Sequence, residues 1–255
     1  MTSAEIAFQA AAIAAAVVTG LSKGGLPAVG SLAVPVLALV ISPITAAGLL
    51  LPIFIVSDWF GLWVYRREFS VRVIAILVPA GIVGVGIGWA TASWMPEPLV
   101  TLIVGLIGVI YCLLRWFFSN DDGEAKEAKV APGLIWGTVT GFVSFVSHSG
   151  APPFQMYVLP LQLPKMVFAG TSTITFAIIN AVKLIPYWAL GQFSPANLTE
   201  AVGLIPFAVA ATFVGAKLTR IIPDKLFFQL VTVALFVISV KLVWDGVIGL
   251  SHLIV

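Results

Sequence analysis

Ile74-Ala-Ile-Leu-Val-Pro-Ala-Gly-Ile-Val-Gly-Val85 runs without a charge or a strongly polar group, and Val231-Thr-Val-Ala-Leu-Phe-Val-Ile-Ser-Val240 repeats that character near the other end of the chain. A strand of a membrane β-barrel would alternate polar and apolar residues, one face toward lipid and one toward the lumen. These runs do not alternate. In a bilayer the only other spanning solution is the α-helix, which satisfies every backbone N–H and C=O internally. The composition extends this reading to the whole chain. Of 255 residues, 60% are hydrophobic and 9% charged, against about 25% charged in soluble domains. Mean hydropathy is +1.10. A soluble fold of this size has too little interior to hide that much apolar surface, so lipid must be the solvent for much of it. The fold class expected is an all-α polytopic membrane protein.

Charge and cysteine content narrow the classes further. The net charge of +2 comes from dispersed basic residues, which argues against a nucleic-acid partner. The single cysteine, Cys112 beside Tyr111, can form no intrachain disulfide and no redox or metal pair, and reads as a small packed hydrophobe. The N-terminus lacks a basic stretch before Ile6–Val18, so that run reads as a retained segment and not a signal peptide. The location expected is the bacterial inner membrane, crossed several times.

Ten apolar segments follow one another, at about 4–21, 26–41, 44–65, 71–93 and 98–118, then 132–147, 152–163, 166–190, 197–219 and 225–245. The polar stretch Ser119-Asn-Asp-Asp-Gly-Glu-Ala-Lys-Glu-Ala-Lys129 divides them and reads as a solvated loop. The halves echo each other. Val18-Thr19-Gly20 returns as Val139-Thr140-Gly141; Pro27 and Pro35 return as Pro152 and Pro160, 125 positions on; Pro79, Gly88 and Pro96 return as Pro206, Gly215 and Pro223, 127 positions on. The domains expected are a first repeat at 1–118, a linker at 119–130 and a second repeat at 131–255. Loop charge sets their relative orientation. Arg66, Arg67 and Arg72 follow the third segment while its counterpart loop has no Lys or Arg; Arg220 and Lys225 follow the ninth while its counterpart has none. Positive loops face the cytoplasm. Equivalent loops then lie on opposite sides, so the repeats are inverted, of about five segments each. Arg115, Lys126, Lys129 and Lys165 agree, and both termini are expected outside, in the periplasm or exterior.

The second and seventh segments are short for the ~20 residues of a spanning helix, and each follows a Gly/Pro break, at 22–27 and 147–153. Broken or re-entrant helices in matching places of two halves point to a transporter binding site. At the first break, Gly20-Leu-Ser-Lys-Gly-Gly25, Gly24 and Gly25 leave backbone N–H groups approachable, the next helix adds its N-terminal partial charge, and Lys23 adds a full one. The competing reading is that Lys23 snorkels to the membrane surface as an anchor. At the second break Ser147, His148 and Ser149 stand at the helix end, with Gln155 and Tyr157 one or two turns on. They could donate to an anion, and His148 could also carry a proton; alternatively His148 only caps a helix. No Asp, Glu or Cys lies near His148 in sequence and His252 is in the tail, so no metal is expected. No cofactor is expected either.

The eighth segment is unusually polar. Gly170-Thr-Ser-Thr-Ile-Thr175 precedes Asn180 and Lys183, which places Thr171, Ser172, Asn180 and Lys183 among the candidate binding residues. A lysine in the bilayer costs about 2.5–3.5 kcal/mol on insertion scales and needs a partner, a polar cavity or a substrate. Asp58 stands at nearly the matching place in the third segment. Either Asp58 and Lys183 neutralise each other, or Lys183 faces an anion and Asp58 joins His148 as a proton carrier. Lys217, Arg220, Lys225, Lys241 and Asp245 read as anchors near segment ends, and Trp94, Trp116, Trp188 and Trp244 as interfacial belts.

At these two breaks the chain resembles the TauE/SafE sulfite exporter family, the TSUP permeases. The resemblance rests on Gly20-Leu-Ser-Lys-Gly-Gly25 with Val34-Pro35-Val36-Leu37, on Gly141 through His148-Ser-Gly-Ala-Pro-Pro-Phe-Gln-Met-Tyr157 with Leu159-Pro160-Leu161, and on Phe168-Ala-Gly-Thr-Ser-Thr, Asn180-Ala-Val-Lys-Leu-Ile-Pro-Tyr187 and Leu190-Gly-Gln-Phe193. It covers nearly the whole chain. The usual Gly-Gly-Gly run is replaced by Ser-Lys-Gly-Gly in one copy and His-Ser-Gly-Ala-Pro-Pro in the other, which marks a subgroup. The resemblance implies export or uptake of sulfite, sulfonates or related small organosulfur anions.

The function expected is a secondary transporter, an exporter, of a small anion by alternating access, with an uncoupled anion channel as the alternative. No P-loop is present, so a gradient would supply the energy. An intramembrane enzyme using Ser147 or Ser149 with His148 is disfavoured, because adjacent residues at a helix break rarely pair as nucleophile and base and no carboxylate orients the histidine. The partners expected are the small anionic substrate and the lipid bilayer; a homodimer is compatible with the sequence.

Overall fold

The computed structural model of the chain describes residues 2–254 apart from 93, 95 and 119–124. Of the linker expected at 119–130, residues 119–124 therefore lie outside the described residues, as do the side chains of Arg115 and His252.

Every regular element among the described residues is helical, with no strand. Helix α1 spans Ser3–Lys23, α2 Pro27–Gly30, α3 Ala33–Leu37, α4 Pro43–Tyr65, α5 Val71–Thr91 and α6 Glu97–Phe118. Then follow α7 at Val130–Ser147, α8 at Ala151–Val158 with a 3-10 turn at Leu159–Leu161, α9 at Lys165–Ala189, α10 at Pro195–Ile221 and α11 at Asp224–Ile254. Among the described residues seven helices are long and apolar enough to cross a membrane. The chain is thus a multi-pass helical membrane protein, as its composition required.

Local chemistry sets the ends. Thr2 and Glu5 form a reciprocal capping box on α1. Ser42 and Ser194 cap α4 and α10, each accepting from a backbone N–H three residues on. Proline sets the two short segments. Pro35 cannot continue α2, because its ring would clash with the carbonyl four residues back, so the chain restarts as α3. Pro160 does the same after α8, where the backbone tightens into the 3-10 turn. The last helix runs nine residues beyond the expected 245. No proline interrupts it there, and Gly246 and Gly249 let it lie close against Leu102 and Pro98 of α6.

The helices form two compact units, Met1–Ser70 with Lys165–Pro223 and Val71–Pro164 with Asp224–Val255. Each unit draws on both halves of the sequence. In the first, α1 packs chiefly on α10, and α4 on α9 and α10. Ala12, Ala15 and Ala16 of α1 are fully buried with Ala201, Leu204 and Ala208 of α10 in one core. Small residues let the two backbones approach, the contact available when lipid removes the hydrophobic drive between helices. A Cβ on Gly20 would collide with the Ala208 carbonyl. In the second unit α5 packs on α7 and α6 on α11, and a Cβ on Gly141 would collide with the Gly81 carbonyl.

Candidate functional site

The first unit contains the break between α1 and α2. The N–H of Gly24 donates to Gly20 O at 3.0 Å and that of Gly25 to Ser22 O at 3.3 Å, so both close the end of α1. Gly25 takes φ +110°, and a Cβ there would lie 2.6 Å from the Tyr65 hydroxyl. The exposed carbonyl is also covered: Tyr65 Oη donates to Gly24 O at 2.6 Å and Thr219 Oγ1 to the same oxygen at 2.9 Å. With its N–H groups engaged and α2 only one turn long, the macrodipole at this break is small. The glycines thus serve close packing, and any anion preference here rests on the side chains.

Those side chains converge. Thr173 Oγ1 donates to Lys23 O at 3.3 Å, fixing the backbone of Lys23 against α9. The Lys23 ammonium lies 2.8 Å from Asp58 Oδ1 on α4 and over the rings of Phe54 and Phe176, 4.9 and 5.8 Å from their centroids. Asn180 Nδ2 of α9 donates to the other Asp58 oxygen at 2.8 Å. Lys183, one turn further along α9, is fully buried and interacts electrostatically with both Lys23 and Asp58. Lys23 is 4% exposed and Asp58 3%, so Lys23 is no surface anchor. The buried partner of Asp58 at ion-pair distance is Lys23 on α1. Thr19, one turn before Lys23, and Ser57, next to Asp58, carry buried hydroxyls with no partner among the described residues.

Thr171 and Ser172 lie on the same helix but about 12–13 Å along it from Asn180. Thr171 Oγ1 accepts from the Ser70 N–H at 2.9 Å, and Ser172 is buried. Thr173, next in the chain, is the residue of this stretch that reaches Lys23, through its backbone carbonyl.

The second unit contains the break between α7 and α8, and its chemistry is neutral. Ser147 Oγ donates to Val143 O at 3.3 Å and Ser149 Oγ to Ser147 O at 3.1 Å. Both hydroxyl protons face carbonyls. His148 caps α7 in the left-handed region at φ 53° and is buried. Pro152 and Pro153 remove two of the four N–H groups that a helix start ordinarily exposes. Tyr157 Oη donates to Lys129 O at 3.0 Å, tying α8 to the start of α7. Gln155 differs from all of these. It is 0% exposed, and neither its amide nitrogen nor its oxygen has a partner among the described residues. Among the described residues no three of His, Cys, Asp and Glu converge as metal ligands would.

Several contributors escaped the sequence reading. Phe54, Phe176, Tyr65, Thr173 and Thr219 act across 31 to 195 positions of chain, and nothing in their local sequence marks them. Phe54 was reachable in principle, being one helical turn before Asp58 on the same face.

The sequence profile described as Sulfite exporter TauE/SafE matches residues 12–242. No curated protein and no solved structure matches the chain. The profile spans both helix breaks and the whole Lys23–Asp58–Asn180–Lys183 cluster, and on that extent the chain belongs to the TauE/SafE sulfite exporter family.

Proposed function

We propose that the protein is a secondary transporter that exports a small anion, sulfite or an organosulfonate, by alternating access. The observation that carries this reading is the Lys23 ammonium, 4% exposed within an apolar helical unit and held at a helix break. A charge so placed is expensive unless a negative group faces it. Asp58 supplies one such group, and the buried amine of Lys183 lies within electrostatic reach of both. Such a centre favours a further anion.

We assign the repeats to 1–118 and 131–255, joined by a cytoplasmic linker at 119–130, with both termini on the outer face of a bacterial inner membrane. The helix pairings support this. The first segment of one half packs on the fourth of the other in both units, as α1 on α10 and as α7 on α5. Exchanging the halves turns one pairing into the other. Substrate contacts are assigned to Lys23, Asn180 and Lys183 in the first unit and to Ser147, His148, Ser149 and Gln155 in the second. Asp58 and His148 are the candidate proton carriers. Gly24, Gly25, Tyr157, Thr171 and Ser172 support the backbone around them.

Proteoliposomes carrying the purified protein test the reading. Under an imposed pH gradient, labelled sulfite or isethionate should accumulate against its own gradient with saturable kinetics. Conductive flux that never saturates or accumulates would make the protein a channel. No flux of sulfite, isethionate, taurine, sulfoacetate or sulfate would remove the anion reading.

A further inference from the structure

Asp58 occupies the Lys23 centre as an anion would. One carboxylate oxygen is 2.8 Å from the Lys23 ammonium and the other accepts from the Asn180 amide at 2.8 Å. Two donors on two helices thus grip two oxygens of one small, singly charged oxyanion, and the ammonium donor lies over two aromatic rings. A sulfite or sulfonate head also offers two oxygens from one central atom, and would satisfy the same pair of donors. It cannot do so while the carboxylate stays ionised in place, because the donors are engaged and two like charges would share a desolvated site.

We propose that Asp58 is the resident counter-anion of the Lys23 centre, and that the transported oxyanion takes its place on Lys23 and Asn180 as Asp58 picks up a proton. This rests on the anion-transport reading above and adds the coupling to it. The step balances: one anion and one proton enter, the carboxylate becomes a neutral carboxylic acid, and the charge of the centre is unchanged. The neutral acid can remain beside the bound anion as a hydrogen-bond donor, where the carboxylate would repel it. Asp58 sits on α4, which packs against α1, α3, α9 and α10. The charged groups facing it are Lys23 from α1 and Lys183 from α9, with Asn180 as its neutral partner; α3 carries no ionisable side chain, and none from α10 acts on it. No other carboxylate among the described residues acts on the centre, and loss of proton uptake in Asp58→Asn separates Asp58 from the Lys183 amine as the acceptor.

Calorimetry on the purified protein tests this with isethionate, whose strongly acidic sulfonate does not titrate near neutrality. Any proton taken up on binding then belongs to the protein, and it is read by repeating the titration in buffers of different ionisation enthalpy. The wild type should take up close to one proton per anion, with affinity falling as pH rises. Asp58→Asn removes the competing charge at nearly constant shape. It should bind isethionate about tenfold or more tighter at neutral pH, because the Lys23 and Asn180 donors no longer have to be taken from a resident charge, and take up no proton. Equal or weaker binding by Asp58→Asn, or unchanged proton uptake, would overturn the displacement while leaving anion transport standing. If Asp58→Asn does not fold, the wild type alone decides, because binding without proton uptake also overturns it. Binding of isethionate or sulfite by neither protein at any pH would overturn the anion reading beneath it.

Discussion

The two helix breaks, one in each half of the chain, are built on opposite principles. The break after Lys23 is charged and crowded. Its glycines touch neighbouring backbone, its carbonyl is doubly covered, and its lysine is gripped by a carboxylate on another helix. The break after Ser147 carries no formal charge at neutral histidine, turns through a strained left-handed residue, and is followed by a glutamine neither of whose amide atoms is bonded among the described residues. Two similar interruptions of the helical backbone thus differ in chemistry, one holding a buried ion pair and one offering neutral polar groups. Under the anion-transport proposal, the charged break would attract the substrate and the neutral one would ease its release.

The largest effect should come from breaking the charged side. Lys23→Ala leaves Asp58 buried with Asn180 and without its close ion-pair partner, a loss of about 3–5 kcal/mol for one member of a buried pair. The thermal midpoint in detergent should fall steeply and sulfite flux should vanish. Lys225→Ala, at an exposed position at the start of α11, should change neither. Similar small effects from both would reduce Lys23 to an anchor and erase the contrast between the breaks.

Packing comes next. A Cβ on Gly24 would lie 2.6 Å from Ala216 N, Gly215 Cα and the Thr212 carbonyl of α10. Backbone atoms cannot yield as a side-chain tip can, so Gly24→Ala should cost about 1–3 kcal/mol. Ser149→Ala, the corresponding change at the neutral break, removes one buried hydroxyl bond and should cost about 1 kcal/mol. A larger loss for Ser149→Ala would place the crowding on the wrong side of the comparison.

Gln155 gives the sign-reversed test. A buried amide with no partner costs about 1–3 kcal/mol relative to one that is bonded. Gln155→Met keeps the volume and removes the polar group, so the midpoint should rise by about 1–2 kcal/mol in stability terms. Flux should fall if another step of transport supplies the missing partner. A variant that is both more stable and fully active would make the amide idle.

How far these features were legible depends on whether their cause is local. The helices, their caps and the two breaks follow from apolar runs, Ser and Thr before helices, and Gly and Pro within a few residues, so the sequence exposes them. Asp58, Lys183 and Asn180 stood out because ionisable and amide groups are costly in lipid wherever they sit. The pairing was harder. Asp58 faces both Lys183 and Lys23 electrostatically, and only the crossing of α1 and α4 decides which ammonium comes to 2.8 Å. The anion-binding role expected of Gly24 and Gly25 also depended on tertiary packing: a glycine approached by α10 and by Tyr65 looks the same in sequence as one left open for a ligand.

The smallest expected effect concerns His148, and it separates backbone strain from titration. At φ 53° the residue lies where a β-carbon crowds the following carbonyl, a cost of about 1 kcal/mol that glycine avoids. His148→Gly should therefore leave stability level or raise it by less than about 1 kcal/mol, because the loss of the imidazole's contacts offsets part of the relief. Its flux under a pH gradient is the sharper measurement. If Asp58 takes the proton, the pH profile of the variant keeps its shape even where the rate drops, since the titrating group lies in the other unit. A profile that flattens would move proton coupling to the neutral break and reduce Asp58 to a structural partner of Lys23.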